Sequence, residues 1–241
     1  MDKNFIKRAT QISAFNFFSS DFTSLTYKKE IQSLFQMHFF PNFDLKNTLT
    51  NVDKNRLNQL IAELKKAGSD KFQYLHAYNL KGIGPGEVTL YFLLDNAHLG
   101  GGSSAGVDLV VGSKQYEIKA VTVGRDGYAS NFKLGGTVPL VEILNGLFEL
   151  NMKLKLGGSR TEINGSAIQK MKQQSPDEYN KIEDKFREVA YNNYFKKHEV
   201  IFINNADGSS YGNIAAVKNV QKQDIMIERV TSGTVKPKVK L

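Results

Sequence analysis

No cysteine occurs in the 241 residues, and that absence removes disulfide staples, thiolate metal sites and cysteine nucleophiles together. Any metal must be held by oxygen ligands or by the four histidines. No stretch approaches the roughly 18 apolar residues that a membrane span requires. The opening segment, MDKNFIKRATQISAFNFFSSDF, sets basic residues before aromatics, but Gln11, Ser13, Asn16 and the Ser19/Ser20 pair interrupt it, so it reads poorly as a secretory signal. The expected location is therefore cytoplasmic, with no membrane partner. Internal repeats and low-complexity tracts are also missing. Acidic residues are in deficit, 24 against 32 Lys and Arg, giving a net charge of +8. Such a balance favours polyanionic partners, although charge alone is weak support.

What is present is the composition of a soluble globular protein, 41% hydrophobic and 23% charged. The length suits one catalytic domain with decorations. Residues 1–80 read as a helical, aromatic-rich N-terminal region. It has one helix near 27–38 and another near 52–66, where Leu57, Leu60, Ile61 and Leu64 fall at helical spacing and Gly68 closes the helix. Residues 81–205 read as the core. Pro85 suits the first turn of a helix over about 85–95, with Val88, Tyr91 and Phe92 on its apolar face. A Gly-Ser loop follows, and then GVDLVV (106–111) and QYEIKAVTV (115–123) read as a hairpin around Gly112, Ser113 and Lys114.

Beyond the polar stretch GRDGYASNFKLGGT, a helix is predicted near 138–152 with Val141, Leu144, Leu147 and Phe148 on one side. A helical insertion spans 160–197. Its second helix opens with Ser175 as cap and Pro176 as first residue, and turns Tyr179, Ile182, Phe186 and Val189 inward. A strand follows at VIFINN, and residues 206–241 form a C-terminal β extension of three short strands. Its last run, VKPKVKL, puts Lys236, Lys238 and Lys240 on one face; a lysine-blunted edge strand is the plainer explanation, a DNA contact the other.

The chemistry-bearing residues are Glu87, Asp108, Glu117 and Lys119. Phosphodiester hydrolysis needs a divalent cation, and hard cations such as Mg²⁺ select carboxylate and carbonyl oxygen. Asp108 is expected on the first hairpin strand and Glu117 on the second, on neighbouring strands about 4.8 Å apart. Glu117 and Lys119, two residues apart, leave the same face of their strand. A carboxylate beside an ammonium group can bind a metal and orient or acidify an attacking water.

A helix-borne glutamate, then Asp, then Glu-x-Lys on a hairpin resembles the PD-(D/E)XK nuclease superfamily, which includes restriction endonucleases, Holliday-junction resolvases and phage nucleases. GPGEVTLYFLL, GVDLVV and YEIKAV carry the resemblance. It implies an α/β fold, a mixed α+β sheet with a restriction-endonuclease-like core. It also implies Mg²⁺ or Mn²⁺ held by Asp108, Glu117 and the Ile118 backbone carbonyl, with Glu87 in support and Lys119 at the nucleophilic water. Two departures stand out: no proline precedes Asp108, and only LDNAHLGGGSSA separates the helix from the aspartate strand. The extra strand usual at that point is therefore absent, very short or supplied elsewhere.

As a string the motif is weak. Asp53, Glu63 and Lys65 repeat it in an amphipathic helix, where residues two apart do not share a face. Each residue also has a plain explanation. Glu117 and Lys119 would make a solvent-facing charge pair, Asp108 a turn residue, and Glu87 a first-turn glutamate favoured by the helix dipole. One shared cause accounts for all four more simply. The GGGSSAG loop lacks a P-loop lysine and precedes a strand, and His98 is isolated enough to be a packing residue. Arg125, Asn131 and Lys133 are candidate contacts to backbone phosphates. The expected activity is metal-dependent hydrolysis of DNA. The alternatives are a DNA-binding structural or virion-associated (phage head or packaging) protein of the same fold, and a type II restriction endonuclease. Expected partners are DNA and either a second copy of the chain or phage structural proteins.

Overall fold

A computed structural model describes residues 19–39, 41–67, 84–100, 107–135, 138–204 and 212–241. The protein is mixed α/β, with six α-helices among the described residues and a mostly antiparallel, open sheet. Internal contacts divide it into two units, residues 1–118 with 207–214 and residues 119–206 with 215–241. Gly68, most of the GGGSSAG loop and the first 18 residues fall outside the described residues.

In the first unit, helix α1 spans Lys28–Phe39, α2 Lys54–Ala67 and α3 Pro85–Leu93. The leucine stripe of α2 is buried as its spacing predicts, at Leu57, Leu60, Ile61 and Leu64. Helix α3 is apolar almost all round, and Val88, Leu90, Tyr91, Phe92 and Leu93 are all buried. A helix so enclosed must find partners for its last carbonyls. Residues one turn apart on α1 supply them: Lys28 Nζ donates to Tyr91 O and to Ala97 O, and Gln32 Nε2 donates to Phe92 O at 2.8 Å. Leu49 N closes the end by donating to Leu93 O at 2.9 Å. The Phe22 ring meets Tyr91 edge-on at 5.0 Å and Phe43 meets Phe92 at 5.7 Å, so aromatic contacts tie this helix to the N-terminal segment.

Three strands follow: β1 (Ala97–Leu99), β2 (Leu109–Val111) and β3 (Lys114–Val123). The strand that the sequence left open before the aspartate is therefore present and very short. It pairs antiparallel with β2, Ala97 opposite Val111. Strands β2 and β3 form the predicted hairpin, Val111 opposite Lys114 and Leu109 opposite Tyr116, around a two-residue turn with Gly112 at φ 61°.

The second unit holds the later part of β3 with β4 (Tyr128–Ser130), α4 (Val141–Lys153), α5 (Gly165–Gln174), α6 (Pro176–Asn193), β5 (Glu199–Asn204), β6 (Ile214–Lys218), β7 (Ile225–Thr231) and β8 (Thr234–Lys240). Strand β4 was not foreseen; it lies inside the polar stretch after β3. Pairing runs β3-β4-β8-β7, with β5 beside β3 and β6. Ala129, Ile225, Ile227, Val230, Val235 and Val239 of the sheet share one core with Leu147 of α4, Met171 of α5 and Phe186 of α6. Strand β8 lies between β4 and β7, so the edge-strand explanation of the lysine run is wrong. Its Pro237, which has no ladder donor, faces Ile227 beside a bulge at Glu228, where an irregular register tolerates it.

Two helical faces differ from the sequence reading. On α4 the buried stripe is Ile143, Leu147 and Leu150 with Asn151, while Val141 is exposed. On α6 the buried set is Tyr179, Glu183, Phe186 and Ala190, and Ile182 and Val189 are only half-buried. Ser175 is the N-cap residue of α6, but its side chain makes no cap hydrogen bond; its carbonyl accepts from Tyr179 N at 3.0 Å. The buried Glu183 is fully engaged. It accepts from Tyr179 Oη at 2.8 Å and from Ile227 N at 3.3 Å, and pairs with Arg187 at 2.6 Å, while Arg187 Nε donates to Ile225 O at 2.9 Å. These bonds fasten α6 to β7.

Candidate functional site

The hairpin positions the candidate carboxylates through backbone geometry. Along β3, Tyr116 and Ile118 are buried while Glu117 and Lys119 are half-buried, so the two charged side chains share the face away from the buried pair. Asp108 lies one position before β2, in a bend, and not on the strand as the sequence suggested. The ladder is altered here: Asp108 N donates to Tyr116 O at 3.2 Å, and the side-chain oxygen Oδ2 accepts the Ile118 N–H at 2.8 Å. A short acidic side chain has replaced a backbone acceptor, which ends the strand at Leu109. The result sets the Asp108 carboxylate against the peptide link between Glu117 and Ile118.

Close backbone packing helps hold that position. Gly100 N donates to Asp108 O at 3.1 Å, and a Cβ at Gly100 would lie 1.9 Å from Val107 O. Only glycine fits there.

Glu87 has a different task. Its Oε1 accepts the Gly84 N–H at 3.0 Å in a capping box at the start of α3, beside Pro85. That side chain satisfies an otherwise orphaned donor at a helix terminus. Among the described residues no group of three or more His, Asp or Glu side chains is placed to hold a metal ion, so Glu87, Asp108 and Glu117 do not gather into one. The donors that do fall together in sequence and ladder are Asp108, Glu117 and the Ile118 carbonyl. This hard-oxygen set fits Mg²⁺ or Mn²⁺, cations that keep several of their waters and need only one or two carboxylates.

Lys119 Nζ stands 5.6 Å from the centroid of the Tyr194 ring, which follows the last turn of α6. Nothing in the sequence signalled this partner, because the two residues meet only through tertiary folding. The phosphate-contact candidates separate. Arg125 is exposed in the turn that joins β3 to β4, and Lys133 is exposed beyond β4. Asn131, exposed after β4, has local partners: at φ 64° it donates its N–H to Glu228 Oε2 at 3.1 Å, and its Oδ1 accepts from Arg229 Nη2 at 2.8 Å. His98 Nδ1 lies 3.3 Å from Leu99 O. Among the described residues no helix is long and apolar enough to cross a membrane. No family model, no curated protein and no solved structure matches the chain.

Proposed function

We propose that this chain is a metal-dependent nuclease hydrolysing phosphodiester bonds in DNA, with Asp108, Glu117 and Lys119 at the reacting end of the β2–β3 hairpin. The observation that carries the reading is the hydrogen bond from Ile118 N to Asp108 Oδ2 at 2.8 Å. It draws the Asp108 carboxylate, in the bend before β2, to the backbone of β3 beside Glu117.

A divalent cation bound by Asp108, Glu117 and the Ile118 carbonyl would acidify water and neutralise charge on the phosphoryl oxygens. The protein's own contribution is positional. Asp108 has one oxygen fixed by Ile118 N, which sets the carboxylate beside the strand that carries Glu117. Glu117 presents its carboxylate from the same strand that carries Lys119. The Lys119 ammonium orients the attacking water or stabilises charge that develops on the phosphate. Glu87 acts as a positioning residue that squares the start of α3.

A second reading, a DNA-binding structural or virion-associated protein without turnover, is favoured by one observation: the engagement of Glu87 with Gly84, away from any three-carboxylate group. One assay separates the two. Linear, circular and branched DNA are incubated with Mg²⁺ or Mn²⁺ and either the wild-type chain or Lys119→Ala. Cleavage that needs metal and falls by about 100-fold or more in the variant supports the nuclease. Binding without cutting in both metals leaves the inert reading.

A further inference from the structure

Strands β7 and β8 set two cations face to face. Arg229 is the Cα partner of Lys236, and like charges directly opposite one another destabilise an antiparallel pair. The neighbouring Glu228, the bulged residue, does not resolve the conflict. Its Oε1 is paired with Arg229 Nη1 at 2.8 Å and its Oε2 accepts the Asn131 N–H at 3.1 Å. Lys236 is only 8% exposed as a residue, although its amine is not one of the enclosed, unsatisfied side-chain atoms among the described residues. Burial first, then the nearby charges of Lys133 and Arg229, push its pKa down, with Glu228 opposing. Three cations thus surround one committed carboxylate in the second unit.

The same strand extends the charge. Alternation leaves Val235 and Val239 in the core and puts Lys236, Lys238 and Lys240 on the other face. Lys238 is steadied above the Tyr128 ring at 4.5 Å and lies 3.9 Å from Asp126. Residues two apart on a strand are spaced about 6.6 Å, the scale of neighbouring phosphates along a polynucleotide. A single carboxylate or a small anion would use one of these lysines; a repeating polyanion uses the row.

We infer that Lys133, Arg229 and Lys236 form a seat for a backbone phosphate of nucleic acid, with Lys238 and Lys240 continuing the contact along β8. The identity of the polyanion rests on the nuclease reading; the seat itself rests on the β7–β8 register. A bound phosphate would give Lys236 an anionic partner and relieve its opposition to Arg229. Such a contact positions the strand without reading its sequence.

The test is binding of a short labelled duplex DNA in EDTA, so that cleavage plays no part, over a series of salt concentrations. Each lysine that releases counterions from a phosphate contributes about 0.9 to the slope of log K against log salt. Lys133→Gln, at an exposed position, and Lys236→Gln should each lower that slope by about one, and the double variant by about two. Lys170→Gln on the exposed face of α5 is the control and should leave the slope unchanged. Thermal melting establishes that Lys236→Gln is folded; Lys133→Gln carries the test if it is not. Wild-type slopes in the folded variants would overturn the seat. So would polyglutamate competing as strongly as DNA, because the partner would then be an acidic polypeptide. Binding that depends on Lys133 and Lys236, without cleavage in any metal, would retire the nuclease and leave the seat standing.

Discussion

Asp108 Oδ2 accepts the backbone N–H of Ile118 at 2.8 Å, one strand away and ten residues on. The bond lets the acceptor and the charge of this carboxylate be tested separately. Asp108→Asn keeps an acceptor for Ile118 N and removes the charge, whereas Asp108→Ala removes both. Cleavage should fall by about 100-fold or more in each. Unfolding by urea should separate them, with Asp108→Ala losing about 1 kcal/mol and Asp108→Asn much less. Full activity in Asp108→Asn would remove Asp108 from the reaction.

Gly100→Ala tests the backbone approach beside that carboxylate. The new Cβ would fall 1.9 Å from Val107 O, so the chain must move and with it the Asp108 backbone. Overpacking of this kind costs about 1–3 kcal/mol. The expected result is a lower melting temperature and a fall in kcat, with DNA binding in EDTA retained.

The buried amine of Lys28 should leave a signature in the pH dependence of stability. Burial, opposed by Asp95 and aided by Lys29, lowers its pKa from 10.5 to about 6 in the folded chain. Above pH 6 the amine, 3.3 Å from the Tyr91 ring centroid, is therefore largely neutral, and its two hydrogens suffice for the bonds to Tyr91 O and Ala97 O. The unfolded chain binds the proton up to its ordinary pKa. Between these two pKa values the unfolded state holds more protons, so stability rises with pH, by at most about 1.4 kcal/mol per unit. Urea unfolding at pH 7, 8 and 9 should show the rise, and Lys28→Met should lose it. Parallel curves for the two proteins would mean that Lys28 is charged in the folded state.

Glu183 and Arg187 should show the asymmetry of an enclosed ion pair. Glu183 is 1% exposed and has three donors. Glu183→Ala removes the acceptor of the Tyr179 hydroxyl and the Ile227 amide, leaves Arg187 only Asp184 and Ile225 O, and should cost about 3 kcal/mol. The double variant Glu183→Leu/Arg187→Met should recover a large part of that loss. A double variant no more stable than Glu183→Ala would show that the pair contributes net stability.

Much of the fold is readable from local pattern. The leucine spacing in α2, Pro85 at the start of α3, the glycine turn between β2 and β3 and the three closing strands each announce an element that the structure contains. The face of a helix is less legible. On α4 several apolar residues compete, and the inward stripe became Ile143, Leu147 and Leu150 because that rotation meets the core. Strand β4 was hidden because Tyr128–Ser130 is too short and polar to show alternation; pairing on both sides makes it a strand. At the candidate site, the shared side of Glu117 and Lys119 followed from strand geometry. The departure of Asp108 from the ladder did not, nor did the use of Glu87 as a cap.

By itself the sequence determined the helices and the β2–β3 hairpin, that Glu117 and Lys119 point the same way, and that lysines alternate with valines near the C-terminus. Those are consequences of fixed backbone periods, 3.6 and 2, acting over neighbouring residues. Only the tertiary structure decided that Asp108 bonds Ile118, that Arg229 stands opposite Lys236, and that Lys28 is buried against Tyr91. Each of these depends on register between separated segments or on loss of water around a charge, and neither quantity is written in any short stretch of chain.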